Sequence, residues 1–381
     1  MVNDKSERIF SLLFKKFTDV IGRFEVLLFL GWLAAIHIFE LITLPSLPTP
    51  TQLLAQFSLT ERLLEIWVSG GDSAHYMLIA KNGYAAESRT LFPLWPLVIK
   101  ILGASPATAK IAATGLTLVF LIIFAKFIKK LGQSKSLPEI LIAFLVFPSS
   151  FLLTAPLSEP LYIVLAVITF ILGERKKFVP AAFFAALASG TRPIGIVLTL
   201  YLGLKLLQGG FKVLKKYWWT LVVSPSGLVF YALFLQVTLG DFALFYKDQL
   251  TGWGRSISFG SLQNLFSEQM IIINQILGPV KPVPINLLHF GLIFFFIFLA
   301  CISFKRLNKA LWAYSVAAII IPLASGTSVA ISRYLLTAFP LFIPLGQFLK
   351  KNKFLFYFYI FFSMFFQSLL IIRFFNFEVP D

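Results

Sequence analysis

Sulfur and charge are scarce in this chain. Cys301 is the single cysteine among 381 residues, which excludes a disulfide framework and any thiolate metal cluster, since both need at least two sulfurs. Charged side chains make up only 13% of the sequence, about half the ~25% usual in water-soluble domains. Also missing is a Gly-Lys-Ser/Thr phosphate loop, and Gly70-Gly71 is too short and wrongly placed to replace one, so a nucleotide-binding loop of that kind is not expected. What the chain has instead is apolar surface: 58% hydrophobic residues, 44 of them Phe, and a mean hydropathy of +0.85. A water-soluble enzyme and a disordered chain are both excluded by that composition. No basic stripe accompanies soluble structure, so the net charge of +16 does not point to nucleic acid.

Apolar stretches of about 20 residues, enough to cross about 30 Å of hydrocarbon as helix, recur along the whole length. They predict an all-α, polytopic transmembrane helical bundle of about eleven spans. The approximate placements are 24 to 44, 106 to 128, 138 to 155, 160 to 174, 179 to 190, 194 to 208, 217 to 239, 284 to 304, 310 to 329, 335 to 349 and 354 to 372. The short pairs read as broken or shielded helices, because non-helical backbone at membrane depth must lie beside protein or water. This threading collects 22 of the 33 Lys and Arg with six acids on the N-terminal side, leaving the entire net charge of +16 there. The positive-inside rule then predicts a cytoplasmic N-terminus and an exterior C-terminus; the membrane expected is the plasma or inner membrane. The run from Phe24 to Leu44 is too long for a signal-peptide core and ends in Leu-Pro-Ser-Leu-Pro, so cleavage is not expected. No repeat or separate soluble domain interrupts the single domain 1–381. Its two long polar interruptions, 45–105 and 240–283, both fall on the exterior side.

Ionisable groups at the membrane edge cost several kcal/mol unless paired or hydrated, which makes them functional candidates. Asp72, His75, Glu159, Arg192, Asp241, Asp248, Arg255 and Arg333 all fall on the exterior side, each near a helix end. Asp72, His75 and Tyr76 lie three and four apart, so a helix starting at Asp72 would stack them on one face, with Asp72 either a general base or merely the N-cap. Each arginine offers planar, permanently charged contacts suited to phosphate, against the blander reading of a snorkelling interface anchor. Glu159 opens a span and either favours the positive helix N-terminus or serves the site, by binding an acceptor or by orienting the partner of Asp72. His75 reads as a hydrogen-bonding residue. No second ligand stands at metal spacing beyond Asp72, so neither metal nor cofactor is expected. Residues Phe92 to Gly103 form either a packed half-helix or an interfacial one.

The strings themselves resemble a family. Trp67-x4-Asp72-x2-His75-Tyr76-x2-Ile79-Ala80-x2-Gly83-Tyr84, followed by Phe92-Pro-Leu-Trp-Pro-Leu97, is similar to the first luminal loop of the PIG-V-type mannosyltransferases, which add the second mannose to GPI precursors, and of their prokaryotic relatives. The likeness continues in Leu157-Ser-Glu-Pro-Leu-Tyr162, in Ala188-Ser-Gly-Thr-Arg192-Pro-Ile-Gly195, from Gly240-Asp through Trp253-Gly-Arg255, and from Ser332-Arg-Tyr334 through Phe339-Pro-Leu341. Here Gly70-Gly71 precede the acid where relatives often carry Trp, and Pro160 replaces Ser. The resemblance implies a GT-C glycosyltransferase fold and a polyprenyl-phosphate sugar donor. It also implies a lipid, glycan or protein acceptor reached in membrane lipid, and Asp72 as catalytic base. Arg192, Arg333 and Arg255 would then bind the donor phosphate, with His75, Tyr76, Glu159 and Trp253 on the acceptor side or orienting. A flippase for a lipid-linked sugar, or a scaffold of a surface-glycan assembly, are the rival expectations.

Overall fold

The computed structural model describes residues 23–46, 56–256, 258–278 and 283–377, and among these there is no β-strand. Where helices start, the sequence supplies the stop signals that apolar periodicity alone lacks. Ser105 accepts the Thr108 N–H at 3.1 Å ahead of Pro106, opening the 25-residue helix Pro106–Lys130. Asn352 caps Lys353–Phe375 through Leu355 N at 3.1 Å, and Asn308 caps Lys309–Leu323 through Ala310 N at 2.9 Å. In the polar first interruption, Ser58 and Glu61 form a reciprocal capping box at the start of Leu59–Val68, and the Ser58 hydroxyl and N–H hold the Glu61 carboxyl below its ordinary pKa.

Among the described residues four helices are long and apolar enough to cross a membrane: Phe24–Thr43, Pro106–Lys130, Pro284–Ser303 and Lys353–Phe375. A fifth candidate, Ser226–Leu239, turns through 86° into the following helix Leu244–Trp253. The apolar helices Phe178–Ser189 and Lys309–Leu323 and the segment Pro193–Gln208 are shorter. An all-α membrane bundle therefore stands.

Three of the expected spans are discontinuous, and 217 to 239 breaks at Trp218–Trp219 and again at Ser224–Pro225. The predicted span 138 to 155 ends as α-helix at Leu145 and resumes as a 3₁₀ turn over Ser150–Thr154. Side chains take over the backbone groups freed at the break: Ser150 donates to Phe144 O at 2.5 Å, and Gln367 Nε2 donates to Leu145 O and Phe147 O at 3.1 and 2.9 Å. The predicted span 335 to 349 is likewise split, into Ile331–Leu335, a 3₁₀ stretch Leu336–Leu341 containing Pro340, and Phe342–Lys351.

The core is built largely of phenylalanine. Phe120, Phe124, Phe144 and Phe339 are fully buried and meet ring to ring at 5.1 to 6.4 Å. Outward positions such as Phe354, Tyr357, Phe361 and Phe365 on the last helix are exposed, as a lipid-facing surface requires. Where backbones must touch, the residue is glycine. A Cβ on Gly227 would lie 2.1 Å from Ala186 O and 2.4 Å from Gly190 N, and one on Gly195 would lie 2.4 Å from Ser189 N. Helices Phe178–Ser189 and Ser226–Leu239 therefore cross in direct backbone contact, and that crossing fixes the break at which Arg192 sits.

Candidate active site

Three chain breaks and one helix start converge at one end of the bundle. Asp72 lies in the first turn of Gly71–Asn82, whose N-cap is Gly70, so Asp72 does not cap the helix. Gly71 has φ of +52°, a left-handed value that suits glycine and turns the chain so that Asp72 enters the bundle. The Asp72 carboxylate accepts from Arg333 Nη1 at 2.7 Å across 261 positions of sequence. Arg333 also donates through Nε to Glu159, and Arg192 pairs with the same Glu159 oxygen.

Glu159 is fully buried and each arginine side chain is 8% exposed, so this is a carboxylate clamped under two guanidinium groups, out of water. Its neighbour Ser158 extends the network. The Ser158 hydroxyl accepts from Arg192 Nη1 at 3.0 Å and from the Tyr76 phenol at 2.9 Å. Tyr334 completes the wall: the guanidinium carbons of Arg192 and Arg255 lie 5.5 and 5.0 Å from its ring centre.

Above this network is a cavity of about 470 Å³ whose wall includes Asp72, Tyr76, Arg192, Arg255, Arg333 and Tyr334. Apolar groups, among them Phe92, Ile194, Phe245 and Ile321, line the rest. Charge is unequal there. Asp72 and Glu159 engage Arg192 and Arg333, whereas Arg255 donates only to neutral groups, to Ser325 Oγ at 3.3 Å and Val329 O at 2.5 Å, and no carboxylate pairs with it among the described residues. Three cations against two anions in a largely apolar cavity make a site that gains from an arriving anion.

The eight edge residues do not all converge. Glu159 lies beneath the cavity wall and His75 outside it, with His75 Nδ1 buried. Asp72 and Tyr76, one helical turn apart, share the cavity face, while His75 is rotated away from it. Asp241 pairs with Lys247, which holds its carboxyl below the ordinary value, and Asp248 pairs with Arg89 at 2.7 Å; neither lines the cavity. Trp253 ends the helix Leu244–Trp253, and its side chain lies outside the described residues. The half-helix Leu94–Ile101 is anchored by Trp95, fully buried, whose indole N–H donates to Pro156 O at 2.9 Å.

Two features escaped the sequence reading. Ser158 and Tyr334 belong to quoted strings, yet nothing in the strings shows that they join the arginines. A second buried cluster supports the loop ahead of Asp72: Glu40, fully buried, accepts from Trp67 Nε1 at 2.9 Å and contacts His37 Nδ1 at 2.6 Å, and Lys110 Nζ lies 3.4 Å from the Trp67 ring centre. The signal for it was present, since Glu40 and Lys110 are ionisable residues inside apolar runs.

A sequence profile of the family described as Mannosyltransferase (PIG-V) matches residues 16–247, more than half of the chain. The chain belongs to this PIG-V mannosyltransferase family. With its apolar spans, that makes it a membrane glycosyltransferase. The matched region holds Asp72, Glu159 and Arg192 and stops short of Arg255 and Arg333, which the fold brings to the same cavity. No curated protein and no solved structure matches the chain.

Proposed function

We propose that this PIG-V family member moves a sugar, mannose, from a polyprenyl-phosphate carrier to an acceptor hydroxyl at the exterior face of the plasma or inner membrane. The acceptor is a lipid, glycan or protein. Asp72 acts as general base on the acceptor hydroxyl, which attacks the anomeric carbon as the bond to the carrier phosphate breaks, so the configuration inverts in one step. The carrier leaves as a phosphate monoester, and its growing negative charge is met by Arg255 and Arg333, with Arg192 behind them. Tyr76 orients the acceptor side, with Glu159 holding the two paired arginines in register.

The observation that carries this reading is Arg255, which pairs with no carboxylate among the described residues, in the same cavity wall as Asp72. A phosphate arriving there neutralises the excess cation and competes for Arg333, which loosens the Asp72–Arg333 pair and leaves the carboxylate available to take a proton. The concentration of Lys and Arg at the opposite ends of the helices supports an exterior cavity.

The test incubates purified protein with polyprenyl-phosphate mannose and candidate membrane acceptors, and reads products by mass spectrometry and anomeric configuration by NMR. An inverted mannosyl product is expected. Retention of configuration would remove Asp72 as a one-step base, and movement of the lipid across a bilayer without transfer would favour a flippase.

A further inference from the structure

Helix Phe259–Leu277, 19 residues long, follows the cavity wall in sequence and falls outside the spanning candidates. Its surface divides into three stripes. Ser261, Leu265, Glu268 and Ile272 turn toward the protein; Ser261 and Ile272 are buried, and Leu265 packs against the main core. Phe259, Leu262, Phe266, Met270 and Leu277 recur at helical spacing, so they share one face, and they are exposed, Phe266 by 67% and Leu277 by 81%. Gln263, Asn264, Ser267 and Asn274 are exposed beside that stripe, on a mostly polar flank that also carries exposed Ile271. No charged residue stands on the apolar stripe. A helix in water needs two facets, one packed and one polar; a third, apolar and exposed, calls for a third medium.

The surroundings supply the direction. The preceding helix Leu244–Trp253 has already turned 86° from Ser226–Leu239, so the chain has left the direction of that helix before Phe259–Leu277 begins. Seven positions beyond Leu277 the next span, Pro284–Ser303, begins, and it carries exposed apolar residues of its own, Leu287 and Phe294 among them. At its other end the helix is fastened to the loop that closes the cavity. Ser256 N donates to Ser325 O at 3.2 Å, Glu268 accepts from Ser328 N at 3.0 Å and from the Ser328 hydroxyl, and a Cβ on Gly326 would meet Ser261 Cβ at 2.8 Å.

We infer that helix Phe259–Leu277 lies in the membrane–water boundary with its stripe Phe259, Leu262, Phe266, Met270 and Leu277 seated among the acyl chains of the leaflet on the cavity side, as the lipid-side lip of the cavity. The occupant of the stripe is lipid, because the helix is joined within seven positions to a membrane-spanning helix that itself exposes apolar residues. Interfacial helices bury such a face about 5–10 Å into the headgroup–acyl boundary. The loop bearing Ser325 and Val329, the two partners of Arg255, is therefore tied to an element that rides on the bilayer. This inference is independent of the chemistry proposed above.

The experiment uses the full chain with Cys301→Ser, which removes the native thiol, reconstituted in vesicles of phosphatidylethanolamine and phosphatidylglycerol. Single cysteines at Leu262, Phe266, Met270 and Leu277, and at Gln263, Ser267 and Asn274, carry a nitroxide. Its collisions with oxygen, which concentrates in lipid, and with a water-soluble nickel chelate are measured. All seven sites are exposed, so folding is preserved, and the two sets control for each other. Oxygen collisions should dominate on the first set and nickel collisions on the second. Equal nickel access on both sets would put the helix in water, and protection of the first set from both reagents would put a protein surface over it; either overturns the inference.

Discussion

Replacing Glu159 by Gln separates the structural role of the buried carboxylate from the chemistry beside it. The side chain keeps its shape and loses its charge, leaving Arg192 and Arg333, each 8% exposed, with Asp72 as their one remaining counter-ion. Breaking a buried pair by removing one partner costs about 3–5 kcal/mol, because the surviving charge stays out of water. Loss of an acid from the first turn of Glu159–Glu174 adds about 0.3–1 kcal/mol. A destabilisation of about 3–6 kcal/mol is therefore expected from unfolding in mixed micelles with increasing SDS, followed by far-UV circular dichroism. Glu159→Asp, which keeps the charge on a shorter arm, should recover part of it. A change for Glu159→Gln below about 1 kcal/mol, the value of an exposed pair, would mean that water reaches both arginines and would refute the reasoning.

Three further outcomes are expected. Arg255→Gln removes one charge-assisted contact to the donor phosphate, worth about 1.5–3 kcal/mol, so kcat/KM for the lipid-linked donor should fall about 10- to 150-fold, and loss of the donations to Ser325 and Val329 should cost about 1–3 kcal/mol in the unfolding assay. Gly227→Ala forces a methyl against Ala186 O and Gly190 N, and should cost about 1–3 kcal/mol by the same unfolding assay. Trp67→Phe keeps a ring near Lys110 but takes the indole donor from buried Glu40, which should destabilise by about 1–3 kcal/mol.

The chemistry-bearing residues were legible in the sequence to different depths. Asp72, Arg192, Arg255 and Arg333 could be picked out because charge at a membrane edge is expensive, and they do share a cavity. Their pairing was not legible. Arg333 meets Asp72 and Glu159 only because two interrupted helices and a glycine-mediated crossing bring distant segments to one end, and hydropathy carries no record of such contacts. The same blindness hid the breaks after Leu145 and around Pro340, where side chains such as Gln367 replace lost helical partners without interrupting the apolar run. His75 stands apart for a rotational reason: sequence spacing permitted a shared face with Asp72, but the packed helix presents Asp72 and Tyr76 to the cavity and turns His75 aside. Glu40 and Lys110 show the reverse case, a readable signal that the family resemblance overshadowed.

The most direct test of the central claim is the transfer rate of Asp72→Asn protein with polyprenyl-phosphate mannose and an acceptor, measured beside its unfolding midpoint. The substitution preserves size and removes the base, so turnover should fall by about 10²- to 10⁴-fold while the protein stays folded. Transfer at the wild-type rate would contradict the assignment of Asp72 as the group that accepts the proton.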